Sequence, residues 1–376
     1  MTPRQVVEAH GVRLRPFRAE DTADVLDGCA DPLTQRFVSG VPTPYTEIDA
    51  RCWIDAGAPA AWTGGGAAYA IADPATDRLL GAVGLNCPVP ARGQAEIGYW
   101  LRPAARGRGV AAAATRALSE HAFATGTARL ELLTEPENGP SQRVALAAGF
   151  RYEGVRRSAG ANRDAGRHDL LAWVRLADDP PGPAARLLPD LPGGVLTDQV
   201  VALRRLVPGD AELMFRLHSL PEVVANQAPP VPPEWAAFER RCRLAESLWL
   251  TGDLARLLIT DVVSGEPVGS CGLSYTDVAS GEGSIGYALL PHWRGRGYAT
   301  RAVRLLAGWA FATAGMARLT AGTVPENSAS HRVLERVGFQ REALQRGRLP
   351  GLAGTRVDDL TFALLPTDLV QPAAPR

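Results

Sequence analysis

Two short stretches have the residue types and spacing to bind an anion. They are Arg106-Gly107-Arg108-Gly109-Val110-Ala111 and Arg294-Gly295-Arg296-Gly297-Tyr298-Ala299. Each follows a strand-like run ending in Leu-x-Pro and opens an Ala-rich helical run that reaches Ala-Phe-Ala-Thr at 122–125 and 310–313. A glycine-rich turn between a strand and a helix presents unpaired backbone N–H groups at the positive end of the helix. That arrangement binds phosphate. The spacing Gly107-x-Gly109-x-x-Ala112 also matches a dinucleotide-binding fingerprint. Two features exclude it. The turn follows several strands and a hairpin instead of a first strand, and the second copy places Thr300 where the fingerprint needs a small residue.

Other chemistries are narrowed by composition. All 40 basic residues are Arg, so no Lys is available as nucleophile or Schiff base, and 40 acidic residues leave a formal charge of zero. Such a balance favours neither a nucleic-acid surface nor an acidic membrane. Five Cys, at 29, 52, 87, 242 and 271, form no CxxC and no zinc spacing. No metal is therefore expected. Reduced thiols, together with a Met1-to-Gln5 start lacking an apolar core, lead us to expect a cytoplasmic protein.

The elements that must position the turns read as strands, hairpins and helices. Val12–Phe17 alternates like a strand, and a helix follows through Val25 and Leu26. Thr46–Ile54 reads as an amphipathic helix broken by Gly64-Gly65-Gly66. Ala68–Ala72 and Leu79–Leu85 form a hairpin, and Ala95–Leu101 delivers the chain to the glycine turn. After that helix, Arg129–Thr134 is a strand, Asn138 caps a helix ending at Gly149, and Leu170–Leu176 is a final strand. The pattern then restarts: Tyr287 answers Tyr99 (287 − 99 = 188), and Asn327 answers Asn138 (327 − 138 = 189). A repeat this long is a duplicated domain. We expect an N-terminal domain at 1–178, a Pro/Gly-rich linker at 179–196, a C-terminal domain at 197–370 and a tail at 371–376. Each domain is α/β (α+β), a mixed, mostly antiparallel sheet flanked by helices.

The shared Arg-x-x-Gly-x-Ala, followed by Asn-x-x-Ser-x-Arg-Val and then Gly-Phe, resembles the GNAT acyltransferase superfamily in both halves. The branch it looks like is the RimJ/RimL type, which acetylates the N-termini of ribosomal proteins. The resemblance covers both halves apart from the linker and the last few residues. It implies that acetyl-CoA is the co-substrate, with its pyrophosphate on the backbone of Arg106 to Ala111 and of Arg294 to Ala299. The Arg side chains would add charge-assisted bonds. It further implies a bulged strand that meets the pantetheine arm, at Tyr99, Trp100 and Leu101 and at Tyr287, Ala288, Leu289 and Leu290. Asn138 and Asn327 match a CoA-contacting Asn. Ser141 and Ser330 match a Ser that protonates the departing thiolate.

Attack requires a neutral amine, so a carboxylate is the expected base. Glu96 stands where this branch often carries a Glu. Its counterpart is Ser284, and Glu282 lies two residues earlier. His218 and His292 are alternative bases, and Trp53, Trp62, Trp235 and Trp249 fall near the segments that shape the acceptor site in this family. These features imply an N-acetyltransferase acting on a primary amine, either a protein N-terminus or a small molecule. The second half, with Trp293 in its turn, is expected to be the better CoA binder. A different reading, an acyl-CoA-binding scaffold or sensor with one or both halves silent, rests on the missing Glu. The duplication also admits an internal pseudo-dimer, existing as a monomer or a homodimer.

Overall fold

Parallel neighbours in a sheet need a crossover, and a helix is the usual one. That requirement is met twice in the computed structural model of the chain, which describes residues 5–161 and 166–370. The expected tail at 371–376 lies outside the described residues. Backbone contacts divide the chain into two units, 1–185 and 186–376.

The first unit runs β1 (Val7–Ala9), β2 (Val12–Arg15), α1 (Thr22–Cys29), α2 (Pro32–Phe37) and α3 (Glu47–Cys52). A π-helical stretch, Trp53–Gly57, then joins α3 to α4 (Ala58–Thr63). Next come β3 (Ala67–Ala72), β4 (Leu79–Val89), β5 (Gln94–Leu101), α5 (Val110–Ala124), β6 (Arg129–Thr134), α6 (Gly139–Ala147), β7 (Arg151–Ala161) and β8 (Arg167–Leu176). Strand order is β1-β2-β3-β4-β5-β6-β8-β7. Only β5 and β6 are parallel, and α5 is their crossover.

The second unit repeats this plan with β9 (Val195–Thr197), β10 (Val201–Arg205), α7 (Ala211–His218), α8 (Pro221–Val224), α9 (Trp235–Arg243) and α10 (Ala245–Thr251). It continues with β11 (Ala255–Asp261), β12 (Pro267–Asp277), β13 (Glu282–Leu289), α11 (Tyr298–Ala312), β14 (Arg318–Thr323), α12 (Ser328–Val337), β15 (Gln340–Pro350) and β16 (Arg356–Leu364). Its order, β15-β16-β14-β13-β12-β11-β10-β9, has β13–β14 as the parallel pair.

Each crossover helix buries one stripe on the sheet. In α5 the stripe is Val110, Ala111, Ala114, Ala117, Leu118 and Ala122; in α11 it is Ala299, Ala302, Val303, Leu306, Ala307 and Ala310. The other sheet face is covered by the helices between the second and third strands. Val25, Cys29, Ala50 and Ile54 pack there on Ala70 and Leu79, and Met214, Leu217, Phe238 and Cys242 pack on Leu258.

Two edge strands, β7 and β15, escape the hydrophobic pattern because most of their residues are exposed. The helix expected at 46–54 continues to Thr63, since Pro59 falls in the first turn of α4, where no hydrogen bond is lost. The Pro/Gly-rich segment is also partly built in. Leu188 and Leu191 are buried in the second core, Trp249 Nε1 donates to Leu188 O at 3.1 Å, and β9 begins at Val195. Among the described residues no helix is long and apolar enough to cross a membrane.

Candidate functional site

The site begins with a strand pair that parts company. β5 stays paired with β4 as far as Gly81–Leu101, yet it pairs with β6 only where Gln94–Glu96 meets Arg129–Glu131. From Ile97 onward one edge of β5 has no strand partner. β13 does the same, paired with β12 to Leu289 but with β14 only over Glu282–Ser284. Open strand edges accept an extended, amide-bearing ligand as a further strand. The bulge expected at Tyr99–Leu101 is not the device that makes the opening. The β4–β5 register runs unbroken from Glu96 to Leu101, and its irregularity lies at Asn86–Val89. Divergence of β6 opens the edge instead.

The opened edge leads into the glycine turn. Gly107 and Gly109 have φ of +71° and +77°, and Gly295 and Gly297 have +74° and +83°, a region that only glycine enters at little cost. Gly109 and Gly297 are the N-caps of α5 and α11. Among the described residues, no acceptor engages the N–H groups of residues 107–112 or 295–300, whereas those of Arg106 and Arg294 bond to Pro103 O and Pro291 O. Several orphan donors at a helix start are the fit that a pyrophosphate requires.

The side chains of the leading arginines are occupied elsewhere. Arg106 reaches back to Asp31, Thr34 Oγ1 and Leu101 O. Arg294 bonds Glu222 at 2.7 Å and Leu289 O at 3.0 Å. They brace the turn against α2 and α8. Arg108 and Arg296 are exposed and carry no ion pair among the described residues, Arg296 lying 5.6 Å from the Trp293 ring centroid. Among the described residues, the arginine without an ion pair in each turn is therefore the second one, which spacing alone could not reveal.

Alternation along β5 sends Tyr99 toward α6 and Glu96 toward the opposite face. Tyr99 Oη donates to Ser141 Oγ at 2.9 Å, while Asn138 Oδ1 accepts from Ser141 N at 3.2 Å and so caps α6. The second unit repeats it: Tyr287 Oη lies 2.6 Å from Ser330 Oγ, and Asn327 Oδ1 is 3.1 Å from Ser330 N. Burial raises both phenols above their ordinary value, so they stay protonated. The predicted Ser and the Tyr two strand positions before Leu101 thus form one pair, which residue spacing did not predict. Trp100 and Ala288 face the other way. Trp100 lies so close to Gly28 that a Cβ there would sit 2.2 Å from its ring, and Ala288 packs among the α7 and α9 residues.

Glu96 is half-buried, and burial followed by repulsion from neighbouring Glu131 raises its pKa, with Arg156 opposing. Glu131 itself is buried and paired with Arg156. No described protein group donates to Glu96, which leaves its carboxylate free. Glu282 differs: Arg318 Nε bonds it at 2.9 Å, and Thr276 Oγ1 at 3.2 Å. Ser284 occupies the position corresponding to Glu96, opposite Thr320.

The second unit has an open cleft of about 1130 Å³ that runs from the glycine turn past Tyr287, Ser330 and Ser284 to Asp359 and Arg348. Asp359 is 4% exposed, and its Oδ1 has no hydrogen-bond partner. Because Leu360, Phe362 and Leu364 pack in the α11 core, Asp359 and Thr361 point to the opposite face, the one shared by Ser284. A Cβ on Gly322 would lie 2.6 Å from Asp359 Oδ1, so a glycine is required beside it. Burial raises the Asp359 pKa against the pull of Arg348, whose Nε is 3.4 Å away. Sequence reading missed this carboxylate because nothing corresponds to it in the first half, where Leu170 stands (359 − 189 = 170).

The remaining candidates are mostly structural. Burial, then Arg256 and Arg241, lowers His218 to about 4. His292 stacks edge-on against Trp293. Trp62 and Trp249 are buried, Trp53 packs on Phe17, and Trp235 is exposed against Phe215.

A strand pair that opens beside an orphan-donor turn, with an Asn-capped helix across the gap, is the arrangement both units share. The chain belongs to the GNAT acetyltransferase family: the Acetyltransferase (GNAT) domain matches residues 12–151 and again 201–340. It is an N-acetyltransferase of the RimJ/RimL-like kind, with the domain present in tandem. Over 166 residues it is 30% identical to the uncharacterized N-acetyltransferase p20 of Bacillus licheniformis, an alignment spanning 44% of this chain and 92% of that protein. Over 103 residues it is 34% identical to the ribosomal-protein-serine acetyltransferase of Escherichia coli, spanning 27% and 57% respectively. Among solved structures it is similar to Mycobacterium smegmatis RimJ in complex with CoA-disulfide, with a TM-score of 0.42 and 24% identity over 47% of this chain and 88% of that one.

Proposed function

We propose that each unit transfers an acetyl group from acetyl-CoA to a primary amine by direct attack on the thioester. The observation that carries this reading is the placement of a protonated Tyr–Ser pair on one face of an opened strand and a desolvated carboxylate on the other. The Tyr–Ser pair occurs in both units; the carboxylate stands on the opened strand in the first, as Glu96, and on β16 in the second, as Asp359. Acetyl-CoA would lay its pyrophosphate on the free N–H groups of residues 107–112 or 295–300 and its amide-bearing arm along the unpaired edge of β5 or β13.

The amine then approaches from the α1–α4 or α7–α10 face. Its lone pair attacks the carbonyl carbon, and a carboxylate removes the nitrogen proton, directly or through water. Glu96 takes this role in the first unit. In the second, Asp359 suits it better than Glu282: Arg318 holds Glu282 at 2.9 Å, whereas Asp359 meets Arg348 only at 3.4 Å, keeps an unpartnered buried Oδ1 and has its pKa raised by burial. As the C–S bond breaks, Ser141 or Ser330 gives its proton to the thiolate while its oxygen accepts from Tyr99 or Tyr287. Backbone N–H groups of the opened edge stabilise the oxyanion.

Because the E. coli relative is a ribosomal-protein-serine acetyltransferase, a peptide beginning with Ser is the first acceptor to try, followed by small amines. The test is acetyl-CoA-dependent thiol release with a panel of such acceptors. Release with at least one of them is expected. Release with none would leave the acyl-CoA-binding scaffold as the better reading, which the ion-paired Glu282 and the Ser284 position favour for the second unit.

A further inference from the structure

The second cleft contains a cation without a counterion. Ala255 and Leu257 on β11 pack in the α11 core, so Arg256 between them points to the α7–α10 face. There it lines the cleft with His218 and Ser270. Its Nε is buried without a hydrogen-bond partner, and no carboxylate is paired with it among the described residues. Of the acids on the surrounding helices, Asp210 pairs with Arg204, Glu222 with Arg294, Glu239 with Arg243 and Glu246 with Arg205, while Glu212 and Glu234 are exposed to solvent. Desolvation, and then the neighbouring charge of Arg241, lowers the Arg256 pKa. His218, 3.4 Å from Ser270 Oγ, is kept neutral at pH 7 by burial and by the same two arginines.

This group has no counterpart in the first unit. The corresponding residues are Ala68 (256 − 188), Ala82 (270 − 188) and Cys29 (218 − 189). A half-buried guanidinium whose Nε is sealed from water without a partner is costly, and its planar fork matches a carboxylate or phosphate. The phosphates of CoA belong at the α11 N-terminus, across the sheet. The unmatched charge therefore awaits something arriving from the acceptor side.

Resting on the acetyl-transfer reading, we propose that the amine taken by the second unit carries an anionic group, a carboxylate or a phosphate monoester, held by Arg256 with Ser270 and neutral His218 beside it. The first unit, lined there by small apolar residues, takes an acceptor without that charge.

The test uses the full chain saturated with CoA, titrated with acetate, inorganic phosphate and, as a neutral control, acetamide. The His218 ring protons are followed by NMR among the six histidines. The anions should shift the His218 signals saturably and acetamide should not. Arg256→Leu should weaken the anion at least tenfold while CoA affinity, measured by calorimetry, stays unchanged, and Arg256→Lys should restore part of the binding. A response to acetate points to a carboxylate acceptor; a response to phosphate alone points to a phosphate monoester. No response in the unaltered protein, or an equal response in Arg256→Leu that still binds CoA, overturns the proposal. Thiol release from an amino acid against its amide gives a second reading, with KM for the amino acid alone rising in Arg256→Leu. If no amine is acetylated, the catalytic reading falls, while the anion titration still decides this one.

Discussion

Glu96, the base proposed for the first unit, sits in surroundings that raise its affinity for a proton. It has no hydrogen-bond donor, it is half-buried, and its strand neighbour Glu131 adds repulsion, so its proton is held more tightly than in an ordinary carboxylate. Glu96→Gln should lower first-unit turnover by roughly 10²–10⁴-fold, remove the acidic limb of its pH–rate profile and leave CoA affinity intact. The same shift has a stability consequence of definite sign. A carboxyl whose folded pKa exceeds its unfolded value stabilises the fold only while protonated, and that contribution is lost as pH rises through the folded value. Glu96→Gln should therefore gain stability over the parent at pH 8 and differ little at pH 4, as read by urea denaturation. The opposite order would mean that Glu96 is a satisfied structural charge. Asp359→Asn should behave alike in the second unit, with turnover followed in a Glu96→Gln background. A Glu at 96 is visible in the sequence. The commitment of Arg106 and Arg294 is not, because their partners Asp31 and Glu222 come from helices 75 and 72 residues away.

At the scale of the element, the glycine turn and the strand–helix corner before it carry most of the constraint. Open space surrounds the Cβ position of Gly109, so a side chain there meets no steric wall. What it meets is the left-handed φ, costing on the order of 1–2 kcal/mol, and the volume reserved for a phosphate. Gly109→Val should thus unfold the protein only slightly more readily yet weaken CoA binding tenfold or more. Normal CoA affinity in a folded Gly109→Val protein would show that the turn does not hold phosphate. Farther back, Arg15 and Asp21 form a bidentate pair at 2.8 Å that is almost fully buried, and Arg204 and Asp210 repeat the bidentate geometry with Arg204 half-exposed. The repeated Val-x-Leu-Arg with its Asp was legible in the sequence as an echo, but its purpose appears only when β2 and the turn after it are seen to share one buried charge pair. Asp21→Ala removes the bidentate partner and leaves the guanidinium with Asp77, whose Oδ1 accepts from Nε at 3.1 Å, so it should cost about 1.5–3 kcal/mol, on the order of 5 °C in the melting temperature of the first unit. Helices with small-residue stripes and hairpins with alternating faces were readable because burial imposes a period. Edge strands β7 and β15 were not, since exposure on both sides imposes none.

Across the whole molecule, the two units keep the same strand order and the same cradle but differ on the acceptor face. Duplication explains the first fact: the proposed phosphate site is made of backbone and needs only glycine at four positions, so it survives drift elsewhere. The acceptor face is made of side chains, and there Glu96 and Ala68 in one unit stand against Ser284 and Arg256 in the other. If the cradles are equivalent, CoA should bind with a stoichiometry of two per chain by calorimetry. Gly109→Val and Gly297→Val should each leave one site, and the double variant none. Ligand at 100 times its dissociation constant stabilises a folded unit by about 2.7 kcal/mol, so each single variant should also lose the thermal protection of one unit only. A stoichiometry of one in the unaltered chain, abolished by one glycine variant and untouched by the other, would mean that one cradle has kept its shape without its ligand. Two sites with acetyl transfer surviving Glu96→Gln but not Asp359→Asn would assign the chemistry to the second unit and leave the first as a CoA-binding partner in the same chain.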